Sequence, residues 1–238
     1  LNAAGIQPAP APYQAGVSLE RVRPGSLPGF ADGAFIVQDP SQALVARFAA
    51  PARGALVYDA CAAPGGKSIA LGKSAGRVVA GDRNWRRVRR LAENLDRAGS
   101  GREHAVVADA LCPPLTSADL VLLDAPCLGT GTLARRPDAR WRIRPEHLGS
   151  LVTLQVRLLE ACARLVPPGG ILVYATCSLE PEENEDQVDR FLGAHPDFAR
   201  EPAPAFDTAP LTARGDLQLL PQEHGIDGAF AARLRRVA

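Results

Sequence analysis

From residue 55 onward, short apolar runs alternate with longer stretches in which apolar and polar residues recur at helical spacing. The runs 55–58, 77–82, 105–109, 118–124 and 170–176, rich in Val, Leu, Ile and Ala, predict five strands. Residues 85–98 carry Val88, Leu91 and Leu95 on one face and arginines on the other, which predicts a helix stopped by Gly99. A long helix is expected from Pro145 to about residue 165. An acidic helix is expected over 181–192, with the acidic run 180–189 facing solvent and its first turn complementing the helix dipole. Ahead of these, 35–41 reads as a short strand ending in a turn, with Ser41 capping a helix over 42–48. The tail 229–237 reads as a last strand. Strand interiors without polar interruption are covered on both faces, so the pattern predicts an α/β fold with a mostly parallel, twisted sheet between helices. Residues 1–33 form an irregular lead-in rich in Pro, Gly and Ala, expected to be the end of a truncated domain.

The stretch Asp59-Ala60-Cys61-Ala62-Ala63-Pro64-Gly65-Gly66-Lys67-Ser68 joins the first of those strands to a helix. In an open α/β sheet, ligands bind in the crevice beyond the carboxyl ends of the strands. Gly65 and Gly66 let the backbone approach a ligand, and the following helix start offers free N–H groups. Two common motifs do not fit. A dinucleotide fingerprint needs spaced glycines, and these are adjacent; a P-loop needs Gly at position 61, which is Cys61.

Asp59, Asp82, Asp109 and Asp124 each end a predicted strand. Parallel strands bring these ends to one rim, so the four acids should line one crevice. A carboxylate after the second strand suits both hydroxyls of a ribose, and one after the third suits an adenine amino group. With no phosphate-binding signature, the ligand expected is S-adenosylmethionine.

Cys127 follows the fourth strand in Asp124-Ala125-Pro126-Cys127, and Cys177 ends the fifth in Thr176-Cys177-Ser178. In a doubly wound methyltransferase sheet, strands one, four and five are neighbours, so both thiols should sit beside the Gly-rich turn. Two such thiols suit methylation of a pyrimidine at carbon 5. A thiolate adding to carbon 6 makes carbon 5 nucleophilic; a second group then removes the carbon-5 proton so that the thiolate can leave. A nearby cation such as Lys67 would depress the thiol pKa. Cys112 and Cys162 are expected to be packing residues, and Cys61 to serve packing or the turn.

Composition narrows the setting. The 238 residues suffice for one α/β domain with a small appendage. No apolar run approaches the ~20 residues that span a bilayer. Five cysteines without a C-x-x-C pair argue against a disulfide framework, and the four histidines make no metal pattern. A reducing, cytoplasmic setting and a monomer without metal are expected. Net charge is +1, with 25 Arg against two Lys, so Lys67 occurs against the drift of the composition. The first residue is Leu and Met is absent, which predicts that upstream sequence is missing.

The stretches 59–68, 124–127 and 176–178 resemble motifs of the Sun-type (NSUN) family of RNA 5-methylcytosine methyltransferases, on its RsmB-like branch that modifies small-subunit rRNA. The resemblance runs from about Leu27-Pro28-Gly29-Phe30 to Asp227-Gly228 and takes in Gln38-Asp39-Pro40-Ser41, Arg135-Arg136-Pro137-Asp138 and Leu219-Leu220-Pro221. It implies a Rossmann-like class I methyltransferase fold over 34–238 and a truncated RNA-binding region before it. It implies that Cys177 is the nucleophile and Cys127 assists product release. It further implies that Cys61, Ala62, Ala63, Pro64, Gly65, Gly66 and Lys67, with Asp82 and Asp109, hold S-adenosylmethionine. Asp124 would touch cofactor or base, and Lys67 would lie near the target nucleotide. Leu128 stands where Ser is common, and Ala229-Phe230 replaces a common Phe-Phe.

Arg135, Arg136, Arg140, Arg142 and Arg144 cluster with Trp141 just after Cys127, which suits phosphate contact and base stacking on RNA. Arg83, Arg86, Arg87, Arg89 and Arg90 are expected to be solvated. The base must leave its stack to reach Cys177, so a flipped or single-stranded cytosine is expected. Two alternatives remain. A DNA cytosine-5 methyltransferase would use the Pro-Cys thiol as nucleophile, with a downstream Glu-Asn-Val that is absent here. A non-catalytic rRNA-binding assembly factor would not need both cysteines.

Overall fold

The structure, a computed structural model, describes residues 7–19, 22–141, 143–204 and 210–238. Within the described part of the lead-in, β1 (Ala9–Pro10) and β2 (Val17–Ser18) pair antiparallel, and Tyr13 and Ala15 pack on the domain core. The chain continues through α1 (Pro40–Ala49), β3 (Leu56–Asp59), α2 (Gly66–Gly72), β4 (Arg77–Asp82), α3 (Trp85–Ala98), β5 (Glu103–Val107) and β6 (Leu120–Asp124). It then forms α4 (Pro145–Ala163), β7 (Ile171–Thr176), α5 (Glu185–Ala194), β8 (Phe198–Arg200), β9 (Leu217–Leu219), α6 (Pro221–His224) and β10 (Ala229–Arg236).

The main sheet runs β5-β4-β3-β6-β7-β10-β8, with β9 also on β10. The first five of these strands are parallel; β10 is antiparallel to β7, β8 and β9. After β3 the chain winds outward through β4 and β5, then returns to β6 on the other side. That reversal is the topological switch point, where the sheet opens a crevice. Successive side chains along a strand point to opposite faces. Tyr58, Val121, Leu123, Leu172 and Tyr174 therefore form one core with Leu158 and Leu159 of α4 and Phe191 of α5. Val57, Leu120, Leu122, Val173 and Ala175 form the other with Leu44 and Phe48 of α1 and Leu71 of α2. Leu91 and Leu95 of α3 join Ile69 and Ala80 in a third cluster, as the arginine-backed apolar stripe of that helix requires.

Cys112, expected to pack, is exposed, and four expectations about the elements also need correction. Residues 35–39 form no strand; 36–39 line the cleft described below, where there is no sheet edge to join. The first helix starts at Pro40, whose fixed φ and missing N–H suit a first helical position, and Asp39 caps it by accepting from Ser41 N at 2.9 Å. Strand β5 begins two residues early. Its Glu103 is tolerated because the carboxylate accepts from Ser100 N–H at 2.9 Å and from the Ser100 hydroxyl at 3.0 Å. Asp109 therefore lies beyond the strand end. The acidic helix is split at Asn184 into a 3-10 turn, Pro181–Glu183, and α5, and Glu183, Asn184 and Gln187 point inward rather than to solvent. No described helix is long and apolar enough to cross a membrane.

Candidate active site

The carboxyl ends of β3, β4, β6 and β7 converge on a cleft with two lobes. One, of about 460 Å³, is lined by Gln38, Gln42, Lys67 and Arg135 among others. The second, of about 380 Å³, is lined by Asp82, Arg87, Asp109 and Leu111 among others. Both lobes share Cys61, Ala63, Asp124, Cys127, Arg136 and Cys177.

The Gly-rich turn has the shape its sequence demands. Gly65 has φ 108°, a region that favours glycine, and a Cβ there would come within 2.8 Å of Leu91. Gly66 packs equally closely under the Gln38 side chain. From the first turn of α2, Lys67 reaches over to Asp124, with Nζ 2.6 Å from Oδ2, and it also donates to Gln42 Oε1. Two elements 57 residues apart in sequence are thus joined at the junction of the lobes.

The four acids do not share one environment. Asp82 and Asp109 line the smaller lobe, and Asp124 lines both. Asp59 borders the larger lobe but turns into the protein: it is fully buried, and its Oδ2 accepts from Ser68 Oγ at 2.6 Å. Burial lifts its carboxyl to about 7, against the smaller stabilising pull of Ser68 and Lys67. Asp82 accepts from Asn84 N–H at 3.0 Å and pairs with Arg87 at 3.1 Å. Arg87 also donates to the Ala63 carbonyl at 3.2 Å, so this arginine, exposed as expected, also straps the smaller lobe. Asp109 accepts from Leu111 N–H at 2.9 Å.

The Cys127 and Cys177 sulfurs lie 3.4 Å apart, and Cys177 N–H donates to Cys127 Sγ at 3.3 Å. The hydrogen bond between the thiols separates their acidities. It holds Cys177 below the ordinary thiol range and Cys127 well above it. Burial opposes ionisation of Cys177, as does Asp124; Lys67 and Arg136 favour it. Burial pushes Cys61 far up and Cys162 to about 12, so neither is poised as a nucleophile.

The arginine cluster divides by partner. Arg135 lies 3.3 Å from Asp39 and also pairs with buried Asp227, binding together three distant segments. Arg136 lines both lobes. Arg140 lies over the Trp141 ring at 5.4 Å, and Trp141 is 78% exposed. Arg142 lies outside the described residues. Sequence reasoning passed over Gln42, Arg87 and Asp227 as site residues. Only Asp227 carried a signal, since it stood at the edge of the motif resemblance. Among the described residues, no group of three or more His, Cys, Asp or Glu could hold a metal ion.

The "Probable ribosomal RNA small subunit methyltransferase B" of Synechocystis is 42% identical over 221 residues, covering 88% of this chain and 49% of that protein. The chain spans about half the length of the curated relatives it matches. The crystal structure of PH0851 superposes with a TM-score of 0.90 at 33% identity, covering 99% of this chain and 55% of that one. NSun6 from Pyrococcus horikoshii, crystallised with SFG, superposes with a TM-score of 0.82 at 29% identity, covering 94% of this chain and 60% of that one. Residues 46–235, which carry every strand end around the cleft, match the family described as 16S rRNA methyltransferase RsmB/F, and the chain belongs to that family.

Proposed function

We propose that this chain is the methyltransferase domain, 34–238, of an S-adenosylmethionine-dependent enzyme that methylates carbon 5 of a cytosine in small-subunit rRNA. The lead-in 1–33 would be the end of an RNA-binding region. The observation that carries this is the pair of thiols 3.4 Å apart, with unequal acidities, where the two lobes meet.

The smaller lobe fits an adenosine. Ala110 and Leu111 give apolar walls, Asp82 would accept from the ribose hydroxyls, and Asp109 from the adenine amino group. The turn 61–67 and Asp124 complete the cofactor side. When bound there, S-adenosylmethionine supplies an electrophilic methyl group. The larger lobe, with Lys67, Gln42 and Arg136, receives the flipped base. Cys177 as thiolate adds to carbon 6, which makes carbon 5 nucleophilic toward that methyl group. The carbon-5 proton then passes to water with Cys127 assisting, and Cys177 leaves as thiolate, restoring the aromatic ring. Lys67, held on Asp124, supplies positive charge beside the reacting ring. A cytoplasmic setting, a monomeric state and RNA contacts by Arg136, Arg140 and Trp141 complete the proposal.

The test is methyl transfer from tritiated S-adenosylmethionine to bulk rRNA, with bisulfite mapping of the product. Incorporated label together with a cytosine that resists bisulfite deamination supports the reading. Label on another base, or none with the chain folded and rRNA bound, overturns it.

A further inference from the structure

Strands β6 and β7 fix the backbone only to Asp124 and Thr176, and both cysteines lie on the loops that follow. Something beyond the sheet must therefore set the spacing of the thiols. Glu183 and Asn184, adjacent in sequence and almost completely buried, contact both loops. The Glu183 carboxylate accepts from Leu128 N–H, at 3.2 Å to Oε1 and 3.1 Å to Oε2. Gln155 Nε2 donates to Glu183 Oε1 at 2.8 Å and to the Pro126 carbonyl at 2.9 Å. The residues on either side of Cys127 are thus gripped, one directly and one through Gln155. Asn184 does the same for Cys177: its Oδ1 accepts from Thr176 Oγ1, and its Nδ2 donates to the Ser178 carbonyl at 3.0 Å. Tyr174 ties the pair to β7, donating from its hydroxyl to the Glu183 carbonyl at 2.6 Å. A buried polar network with its members matched rigidifies what it touches.

We propose that Glu183 and Asn184 are positioning residues that hold the two cysteine loops at working distance, Glu183 for Cys127 and Asn184 for Cys177. The division of labour rests on the roles proposed above for the two thiols; the spacing itself does not. The helix break at Asn184, with φ −116° and ψ −106°, turns both side chains inward, which an unbroken acidic helix would not do.

Spacing is read without RNA by treating the purified chain with diamide. The reagent is reduced to its hydrazine, taking up two electrons and both thiol protons, as a Cys127–Cys177 disulfide forms. Mass spectrometry of unreduced digests gives the rate. Displacing a reacting group by about 1 Å costs on the order of 100-fold. Closure should therefore slow at least ~10-fold in Glu183→Ala and in Asn184→Ala when both still melt cooperatively. Glu183→Gln keeps an acceptor for Leu128 N–H and should recover most of the rate. If Glu183→Ala does not fold, Gln155→Met, which releases the Pro126 carbonyl and removes one donor to Glu183 while leaving the Leu128 contact, decides in its place. Closure at the wild-type rate in the folded variants overturns the proposal. With rRNA, Glu183→Ala should accumulate a protein–RNA adduct, whereas Asn184→Ala should form it slowly. Equal slowing of adduct formation in both overturns the division of labour. If the wild-type chain transfers no methyl group, the proposed function fails, and the diamide rates still decide the spacing.

Discussion

The Cys127 and Cys177 sulfurs share a hydrogen bond across 3.4 Å, and this one contact makes two identical side chains chemically different. When Cys177 ionises, the Cys127 thiol is the donor that stabilises it, so Cys177 carries negative charge the more readily of the two. If the proposed roles hold, Cys177→Ala abolishes methylation and forms no covalent species. Cys127→Ala still adds to the base and transfers the methyl group, then stalls. Denaturing electrophoresis should show a protein–RNA adduct in the second variant only. The reverse pattern would move the protein toward the DNA-type mechanism.

The same contact sets a pH dependence. A thiol held below its ordinary range of about 9 stays ionised to lower pH. Asp124 opposes that ionisation, Lys67 and Arg136 support it, and Glu183 acts unfavourably on the thiolate form of Cys127. Replacing Cys127 with Ala removes the hydrogen-bond donor, the largest stabilising cause. The pH at which Cys177 is half-maximally alkylated by iodoacetamide should then move up. A midpoint that stays or falls would show that the cations alone set it.

Asp59 offers a prediction about stability. Its folded-state value of about 7 lies above the 3.8 of an unperturbed Asp, so the folded chain binds more protons between those values. Stability linked to this group is therefore fully present below pH ~4 and lost as pH rises through 7. Asp59→Asn keeps an acceptor for Ser68 and removes the buried charge. Its melting temperature should exceed that of the wild type at pH 8.5, with the gap closing by pH 5. A gap that widens on acidification would reverse the assigned sign.

Asp82 is proposed above to accept from the ribose hydroxyls. Asp82→Ala should then weaken S-adenosylmethionine binding by about 1.5–3 kcal/mol, the range for hydrogen bonds to a charged group. Isothermal titration calorimetry reads this directly, and an unchanged affinity refutes the placement.

Arg135 and Arg136 are neighbours with different predicted phenotypes. Arg135→Ala leaves Asp227, 3% exposed, without its cation and should lower stability by about 1–3 kcal/mol. Arg136→Ala should leave stability nearly unchanged and reduce the salt dependence of rRNA binding by about one phosphate contact. Chemical denaturation and binding titrations in increasing salt separate the two. A stability loss confined to Arg136→Ala would invert the assignment.

The sequence by itself determined most of the central strands and helices and the rim of the cleft. Period-2 and period-3.6 apolar patterns report which face of its own element a residue occupies, so β4 and α3 were legible to the residue. So were the acids at the ends of β3, β4 and β6 and the two cysteines beyond β6 and β7. Tertiary structure decided which polar groups face the cleft and which are committed elsewhere. Asp59 turns inward to Ser68, and Arg135 is drawn to Asp227, 92 residues away. Glu183 and Asn184 leave the expected solvent face to hold the cysteine loops. Local periodicity carries no record of a partner that arrives from a distant segment. A buried charge or amide must be matched wherever packing happens to bring that partner, and only the folded chain brings the two together.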